Sequence, residues 1–425
     1  MNQHHIKTYG KSFDYHQFVD RFTAEHFDAK EWAKLFKQSG ARFAGPCAIH
    51  HDGFALWKSH VNPWNSFDKG PKKDITGELL AALKHENLKT ITTFHHARNG
   101  QRNQHTPSEW VSGGRDDCGY NSHYAYDPTL ITSTSDPVLA KLYGNLPEKE
   151  FNEYWFAQVK EVVDQYEPDM IWFDSWLNLI PDAYRREMAA YYLNEASKWD
   201  KPVAIGYKQH DLPIEVGILD IEQGGKKELS ERVWMTDITL SNHSWSYVEG
   251  QTYKEPALLL RNMIDVWSKN GIVLLNISPM ANGIIPQKQR DILLQLGQWL
   301  NKYGEAVYGT VPFDVHGCGT AQVEDGKHGG QSATIQYTAE DIRYTCSKDG
   351  KSFYLFFLGR PTPGREICLS QLGPHRYPLH REVKRVTVLG SDIPVSHRAT
   401  TNNLYLTIPN VQMDSMATVF KFDLK

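Results

Sequence analysis

Two carboxylates stand where two apolar runs stop. Met170-Ile171-Trp172-Phe173 gives way to Asp174, and Gly217-Ile218-Leu219-Asp220-Ile221 gives way to Glu222. A run that is apolar on both faces reads as a strand covered on both sides, as in a parallel sheet. A carboxylate at the end of such a strand is costly unless it is paired or has work to do. Glycoside hydrolysis needs two of them on either side of the scissile bond, one ionised and one protonated, and different surroundings can drive their pKa values apart. The blander alternatives are that Asp174 caps a helix in the next loop, or that the two carboxylates serve another of the many chemistries found on barrel rims.

Other runs end in polar residues too. The stretch from Arg42 to Ile49 ends in His50-His51-Asp52, Thr90-Ile91-Thr92-Thr93-Phe94 ends in His95-His96, Val203 to Tyr207 ends in Lys208, and Gly271 to Leu275 ends in Asn276. Histidines in such places donate to sugar hydroxyls, ligate a metal, or are tied to backbone carbonyls. Neighbours on a strand point to opposite faces, so His50 and His51 do not readily serve one ion, and no metal site or cofactor is expected. Trp64, Trp172, Trp176 and Trp245 lie at or near strand ends, where an indole packs on the apolar face of a sugar. The alternative is that they are core, and Trp172, inside a buried run, is evenly balanced between the two.

The elements that must position these residues alternate. Asp28-Ala29-Lys30-Glu31 has the pattern of a capping box and opens a helix that ends at Gly40. Further helices are expected at 74–86, 148–166, 182–198, 254–269 and 286–303, between the strand-like runs. Strand–helix alternation with polar strand ends predicts a (β/α) barrel whose active groups share one rim. An open doubly wound sheet is less favoured because no Gly-rich phosphate loop follows a strand. At most seven strands can be counted, so the barrel is expected to be imperfect and TIM-like. The segment from Trp234 to Trp245 fits no period, and 97–147 is a long polar excursion of the kind that usually has a function. From 311 onward, runs such as Ser352–Leu358, Arg385–Leu389, Leu404–Ile408 and Ala417–Phe422 are short and separated by turn residues. They predict an all-β sandwich over 311–425 behind a catalytic domain over 1–310.

Composition narrows the partners. The 46 basic and 50 acidic residues leave a formal charge of -4, which gives no support for nucleic acid or an anionic membrane surface. No apolar run reaches membrane-spanning length. The five cysteines are scattered without a CxxC pair, which speaks for free thiols rather than a zinc site. The start carries no signal-peptide pattern, so the protein is expected to be soluble: cytoplasmic, or periplasmic or secreted if a leader has been removed. Oligomeric state stays open.

Several stretches, in order, resemble the α-L-fucosidases of glycoside hydrolase family 29. They are Phe27-Asp28-Ala29-Lys30-Glu31-Trp32-Ala33, His50-His51-Asp52-Gly53-Phe54-Ala55-Leu56-Trp57 and Lys69-Gly70-Pro71-Lys72-Lys73-Asp74. Trp172-Phe173-Asp174, Asp220-Ile221-Glu222 and Ser268-Lys269-Asn270-Gly271 follow, then Leu274-Leu275-Asn276-Ile277-Ser278-Pro279, Asn282-Gly283-Ile284-Ile285-Pro286 and Gly304-Glu305-Ala306-Val307-Tyr308-Gly309-Thr310. The resemblance implies a retaining exo-α-L-fucosidase acting on fucosylated oligosaccharides or glycoconjugates. Asp174 would be the nucleophile and Glu222 the acid/base. His50 and His51 would be a fucose-binding pair, Trp172 a sugar contact, and Trp245 an aromatic of the site. His95 and Lys208 would be contacts to hydroxyls. Trp64 is a further candidate substrate contact by residue type and place alone, not by the resemblance. Members of the family usually carry an earlier strand ending in His-Trp-Gly and a following Glu-Trp pair. The present sequence starts downstream of both, which matches the low strand count. A pocket open on that side sets the alternative expectation, a catalytically impaired fucose- or glycan-binding protein.

Overall fold

The computed structural model describes residues 2–10, 12–102, 133–321, 323–328, 335–372, 383–391 and 393–425. Most of the polar excursion expected at 97–147, and Cys118 with it, lies outside the described residues. Contacts divide the chain into two compact units. The first comprises Met1–Lys37, Ala41–Leu219 and Pro279–Ile284, and the second Gln38–Gly40, Asp220–Ser278 and Ile285–Lys425.

In the first unit the elements run α1 (Asn2–Tyr9), α2 (Ala29–Gln38), β1 (Phe43–Ala44), β2 (Cys47–Ile49), α3 (Ile75–His85), β3 (Lys89–Phe94), α4 (Pro137–Tyr143), α5 (Glu148–Tyr166), β4 (Met170–Phe173), α6 (Asp182–Lys198) and β5 (Ala204–Lys208). β6 (Ile218–Asp220) stands at the division, and β7 (Trp234–Thr239), α7 (Pro256–Ser268), β8 (Gly271–Asn276) and α8 (Gln287–Tyr303) belong to the second unit. The sheet order is β1-β3-β4-β5-β6-β7-β8, with β2 also paired to β3. This is the expected TIM-like parallel sheet, with seven strands in its path.

Two local outcomes differ from the sequence expectation. The single run from Arg42 to Ile49 is two strands, interrupted at Gly45-Pro46. Proline has no N–H to give to a ladder, and a Cβ at residue 45 would lie 1.6 Å from the Ile91 carbonyl oxygen. The unassigned segment after Trp234 begins with β7, all six of whose residues are buried. Its polar residues hid the strand pattern, yet they are accommodated inside: Thr236 Oγ1 donates to the Ile221 carbonyl at 2.8 Å.

The helices start and stop for readable reasons. Asp74 caps α3 by accepting from Gly77 N at 2.8 Å, and it also accepts from the Tyr166 hydroxyl at 2.8 Å. Asp169, just before β4, accepts from Thr90 N and Thr90 Oγ1 at 2.8 and 2.9 Å, which locks β3 to β4. Trp57, Phe94, Trp155, Ile171, Phe173 and Tyr192 are among the side chains of the core around these strands, all at most 1% exposed. Each such side chain contributes about 1.5–3 kcal/mol by leaving water, so the strand ends sit on a rigid base.

In the second unit, β9 (Thr310–Cys318), β10 (Ile342–Ser347), β11 (Ser352–Phe357), β12 (Glu366–Leu369), β13 (Val383–Val388), β14 (Ser396–Ala399), β15 (Leu404–Thr407) and β16 (Thr418–Leu424) form two antiparallel sheets, β13-β16-β11-β10-β9 and β12-β15-β14. Phe353, Phe357, Phe420 and Phe422 of one sheet share a core with Leu369, Leu404 and Leu406 of the other, which makes the sandwich.

The same unit buries an ion triad. Asp265 of α7 accepts from Lys269 Nζ at 2.9 Å and from Arg343 Nε of β10 at 2.5 Å. Burial pushes the Asp265 pKa up, but the charges of Arg343 and Lys269 outweigh this and hold it down. Its stabilising contribution is therefore present above the ordinary carboxylate range and is lost as pH falls through the depressed value. Asp265→Ala leaves two buried cations without the carboxylate between them and is expected to cost about 3–5 kcal/mol. Urea unfolding at neutral pH measures this, and a loss below about 1 kcal/mol would contradict it.

Candidate active site

Strand register gathers the polar ends in the first unit. Ile49 pairs with Phe94 and Phe94 with Phe173, so His50, His95 and Asp174 each follow a strand end at a common level. Trp172 pairs with Gly206, which carries Lys208 to the level of Asp174. A residue at the carboxyl end of a parallel strand faces the mouth of the sheet, where barrel enzymes keep their chemistry.

Asp174 is the hub. Its Oδ1 lies 3.1 Å from Lys208 Nζ, and its Oδ2 lies 3.1 Å from both His51 Nε2 and His95 Nδ1. The Asp174 side chain is 12% exposed and that of Lys208 only 2%. Burial alone would favour the neutral carboxyl, but the His95 charge, the hydrogen bonds from His51 and His95 and the Lys208 charge win, and the pKa of Asp174 falls well below the usual range. An ionised carboxylate accepts only, so both histidine nitrogens facing it must carry protons.

The histidines divide into two kinds. Burial opposes charge on His95, yet the adjacent Cys47 sulfur and Asp174 raise its pKa to about 10. His95 is thus an imidazolium, and its Nε2 donates to Thr93 Oγ1 at 3.2 Å. His51 is neutral: burial lowers its pKa to about 4 despite its bond to Asp174. His50 is open to solvent but hemmed in by protein and by His95 and His51, and its pKa is also well below normal. His50 and His51 have ring centroids 4.2 Å apart. The expectation that they point to opposite faces does not hold, because β2 ends at Ile49 and both follow it into a turn.

The ligand atoms of His50, His51 and His95 lie within 4.8 Å of one another, the right donor set for a divalent transition ion. Their nitrogens are already engaged: His51 Nε2 and His95 Nδ1 face Asp174 Oδ2, and His95 Nε2 faces Thr93 Oγ1. Dialysis against EDTA is therefore expected to leave turnover of a chromogenic substrate within twofold, and a tenfold loss restored by zinc would contradict this.

Trp172 is 2% exposed, lies 5.2 Å from the His95 ring between centroids, and has Lys208 Nζ 5.2 Å from its own centroid. Its Nε1 has no hydrogen-bond partner among the described residues, so it is a buried donor available to a ligand. Trp64 lies apart from this group. Its indole packs with Phe54, Leu142 and Tyr143, and its Nε1 donates to the Val138 carbonyl at 2.8 Å.

Some functional residues were not legible in the sequence. Arg102, 3% exposed, donates to the His51 carbonyl at 2.8 Å and to Asn99 Oδ1 at 2.7 Å, which fixes the His51 backbone. Asp211 accepts from Leu177 N at 3.0 Å and fastens the turn after Asp174; burial raises its pKa to about 6. A buried Arg within fifty-one residues of a His-His pair carries no spacing rule that would have singled it out.

In the second unit, Glu222 follows β6, is partly exposed, and its backbone N donates to His328 Nδ1 at 3.0 Å. Nearby, Lys254 Nζ donates to Gln223 Oε1 at 3.2 Å and to the Thr239 carbonyl at 2.7 Å, and burial lowers its pKa to about 8. Trp245 is partly exposed in the loop after β7, a loop braced by Ser241 Oγ accepting from His243 N and Ser244 N at 3.1 and 3.2 Å.

Known proteins share this arrangement of sequence and fold. The chain is 27% identical over 381 residues to the alpha-L-fucosidase of Dictyostelium discoideum, covering 88% of this chain and 71% of that protein. It is 29% identical over 317 residues to the tissue alpha-L-fucosidase of Rattus norvegicus, covering 73% of this chain and 61% of that protein. The crystal structure of Thermotoga maritima alpha-fucosidase in complex with fucose superposes with a TM-score of 0.72 at 26% identity, over 99% of this chain and 84% of the other. A family model described as Alpha-L-fucosidase matches residues 1–305, nearly three quarters of the sequence, and the chain belongs to the alpha-L-fucosidase family.

Proposed function

We propose that the protein is a retaining exo-α-L-fucosidase that removes terminal α-L-fucose from glycans by double displacement. The observation that carries this is Asp174, held ionised by Lys208, His95 and His51 at the mouth of the parallel sheet. An anionic carboxylate with its basicity lowered in this way is suited to attack an anomeric carbon and then to leave again. Its low basicity makes it a poor proton acceptor from water, so general base work falls to another group.

In the first step an Asp174 oxygen bonds to the anomeric carbon as the glycosidic C–O bond breaks, and Glu222 gives its proton to the departing oxygen. In the second step Glu222, now a carboxylate, takes a proton from water. The water oxygen attacks the anomeric carbon, the ester bond to Asp174 breaks, and Glu222 is left protonated as at the start. His50, His51, His95 and Lys208 supply polar contacts to the sugar hydroxyls. Trp172 offers its indole, whose Nε1 has no partner among the described residues, and Trp245 is an aromatic contact.

Release of p-nitrophenol from the aryl α-L-fucoside, followed by NMR of the first sugar formed, tests the reading. α-L-Fucose appearing first is the expected result. Fucose binding by calorimetry with no turnover would instead make the protein a fucose-binding module, and β-L-fucose first would make it an inverting enzyme.

A further inference from the structure

Two residues beyond Asp174 the chain takes a conformation that a bulky side chain rarely adopts. Trp176 has φ 76° and ψ 15°, in the left-handed region. Glycine or asparagine is the ordinary choice there, and a large residue in that region is an outlier. Such strain persists only where the surroundings over-determine it, and it clusters at functional sites. The turn is over-determined here: the next residue, Leu177, is fully buried, and its N–H donates to the nearly buried Asp211 carboxylate. The backbone is thus fixed for reasons that do not involve the indole, which leaves the choice of tryptophan to be explained by its side chain.

That side chain is not core. The Trp176 ring is partly exposed, and the guanidinium carbon of Arg98 lies 5.4 Å from its centroid. Arg98 also acts on the site itself, since its charge helps to keep both His50 and His51 unprotonated. Arg98 lies in the turn after His95, and Trp176 lies two residues beyond Asp174. The groups bonded to Asp174 are Lys208, His95 and His51, at the strand ends or just past them. Trp176 and Arg98 come from the chain beyond the strand ends, within four residues of His95 and Asp174.

We propose that Trp176 and Arg98 form the subsite for the leaving-group sugar, the apolar C–H face of that sugar lying on the indole and one of its hydroxyls accepting from the guanidinium. An aromatic face beside a cation suits a neutral pyranose in this way. The subsite sets the preference for a glycan over a small leaving group, and it rests on the fucosidase reading above.

The test compares kcat/KM for an α-L-fucosyl-(1,2)-galactoside with that for α-L-fucosyl fluoride, whose leaving group is a single atom. Trp176→Gly and Trp176→Asn both suit the left-handed turn and both remove the ring. Each is expected to keep the parent Tm or exceed it, and to lower the disaccharide-to-fluoride ratio about tenfold, the size of one stacking contact. Trp176→Tyr is expected to restore most of the ratio. An unchanged ratio in the Gly and Asn variants, with both substrates affected alike, would overturn the subsite while leaving the fucosidase intact. Loss of folding in both variants would assign the indole to packing and overturn it as well. If the unaltered protein turned over neither substrate, the fucosidase reading would fall first and the subsite with it.

Discussion

Asp174→Gly is expected to lose about four orders of magnitude or more in kcat on an aryl α-L-fucoside, and to regain a large part of it in molar azide. On the proposed mechanism the loss follows from removing the group that bonds to the anomeric carbon in the first transition state. The rescue follows from the space left behind: azide is small, anionic and nucleophilic, and the Lys208 ammonium remains to attract it. Attack from the vacated side inverts the anomeric carbon, so the product is β-L-fucosyl azide. The leaving-group proton donor is still present in this variant, and an activated aryl leaving group needs it little. A variant that stays folded and gains nothing from azide would take the nucleophile role away from Asp174.

Lys208→Met is expected to lower kcat/KM about 10²-fold or more near neutral pH and to move the acid limb of the profile upward. Removing one partner of a buried, hydrogen-bonded charge pair costs about 2–5 kcal/mol, much of it from the charge left behind. The sign follows from Asp174. Activity needs its ionised form, which is lost as pH falls through its pKa in the folded protein. Burial pushes that pKa up, and His95, His51 and Lys208 together push it further down. Without Lys208 the balance shifts toward burial, the pKa rises, and the free-enzyme limb seen in kcat/KM moves with it. Lys208→Arg keeps the charge in a longer, planar group and is expected to keep the limb nearer its original place while losing rate through misfit. An unmoved acid limb in Lys208→Met would mean that the lysine does not tune the nucleophile.

Much of this site was legible from strand-end residues. A buried parallel strand reads as an apolar run, and the residue that breaks it marks the mouth of the sheet, which is how Asp174, His95 and Lys208 stand out before any coordinates. Reading His50 and His51 required knowing where β2 stops. One residue of extra strand would have parted the two rings; the turn after Ile49 brings them together instead. The split at Gly45-Pro46 was written in the two residues least suited to a ladder, but it is the close approach of the Ile91 carbonyl that requires the glycine. β7 escaped notice because burial on both faces removes alternation, and its threonines and Asp237 break the apolar run. Arg102 and Asp211 act through backbone contacts. Side-chain type and spacing do not encode such contacts, so a sequence shows the polar residues at strand ends more readily than those that hold them in place.

The most direct measurement is mass spectrometry of the protein after inactivation by 2-deoxy-2-fluoro-α-L-fucosyl fluoride. The fluorine at C2 destabilises both oxocarbenium-like transition states, and the reactive leaving group lets the first proceed while the second lags. Digestion is expected to yield a single labelled peptide spanning Met170 to Trp176, with the fluorofucosyl group as an ester on Asp174, and slow return of activity as the ester hydrolyses. A fully active enzyme that accumulates no adduct and releases β-L-fucose first, or an adduct on a different carboxylate, would contradict the assignment of Asp174 as the nucleophile of a retaining fucosidase.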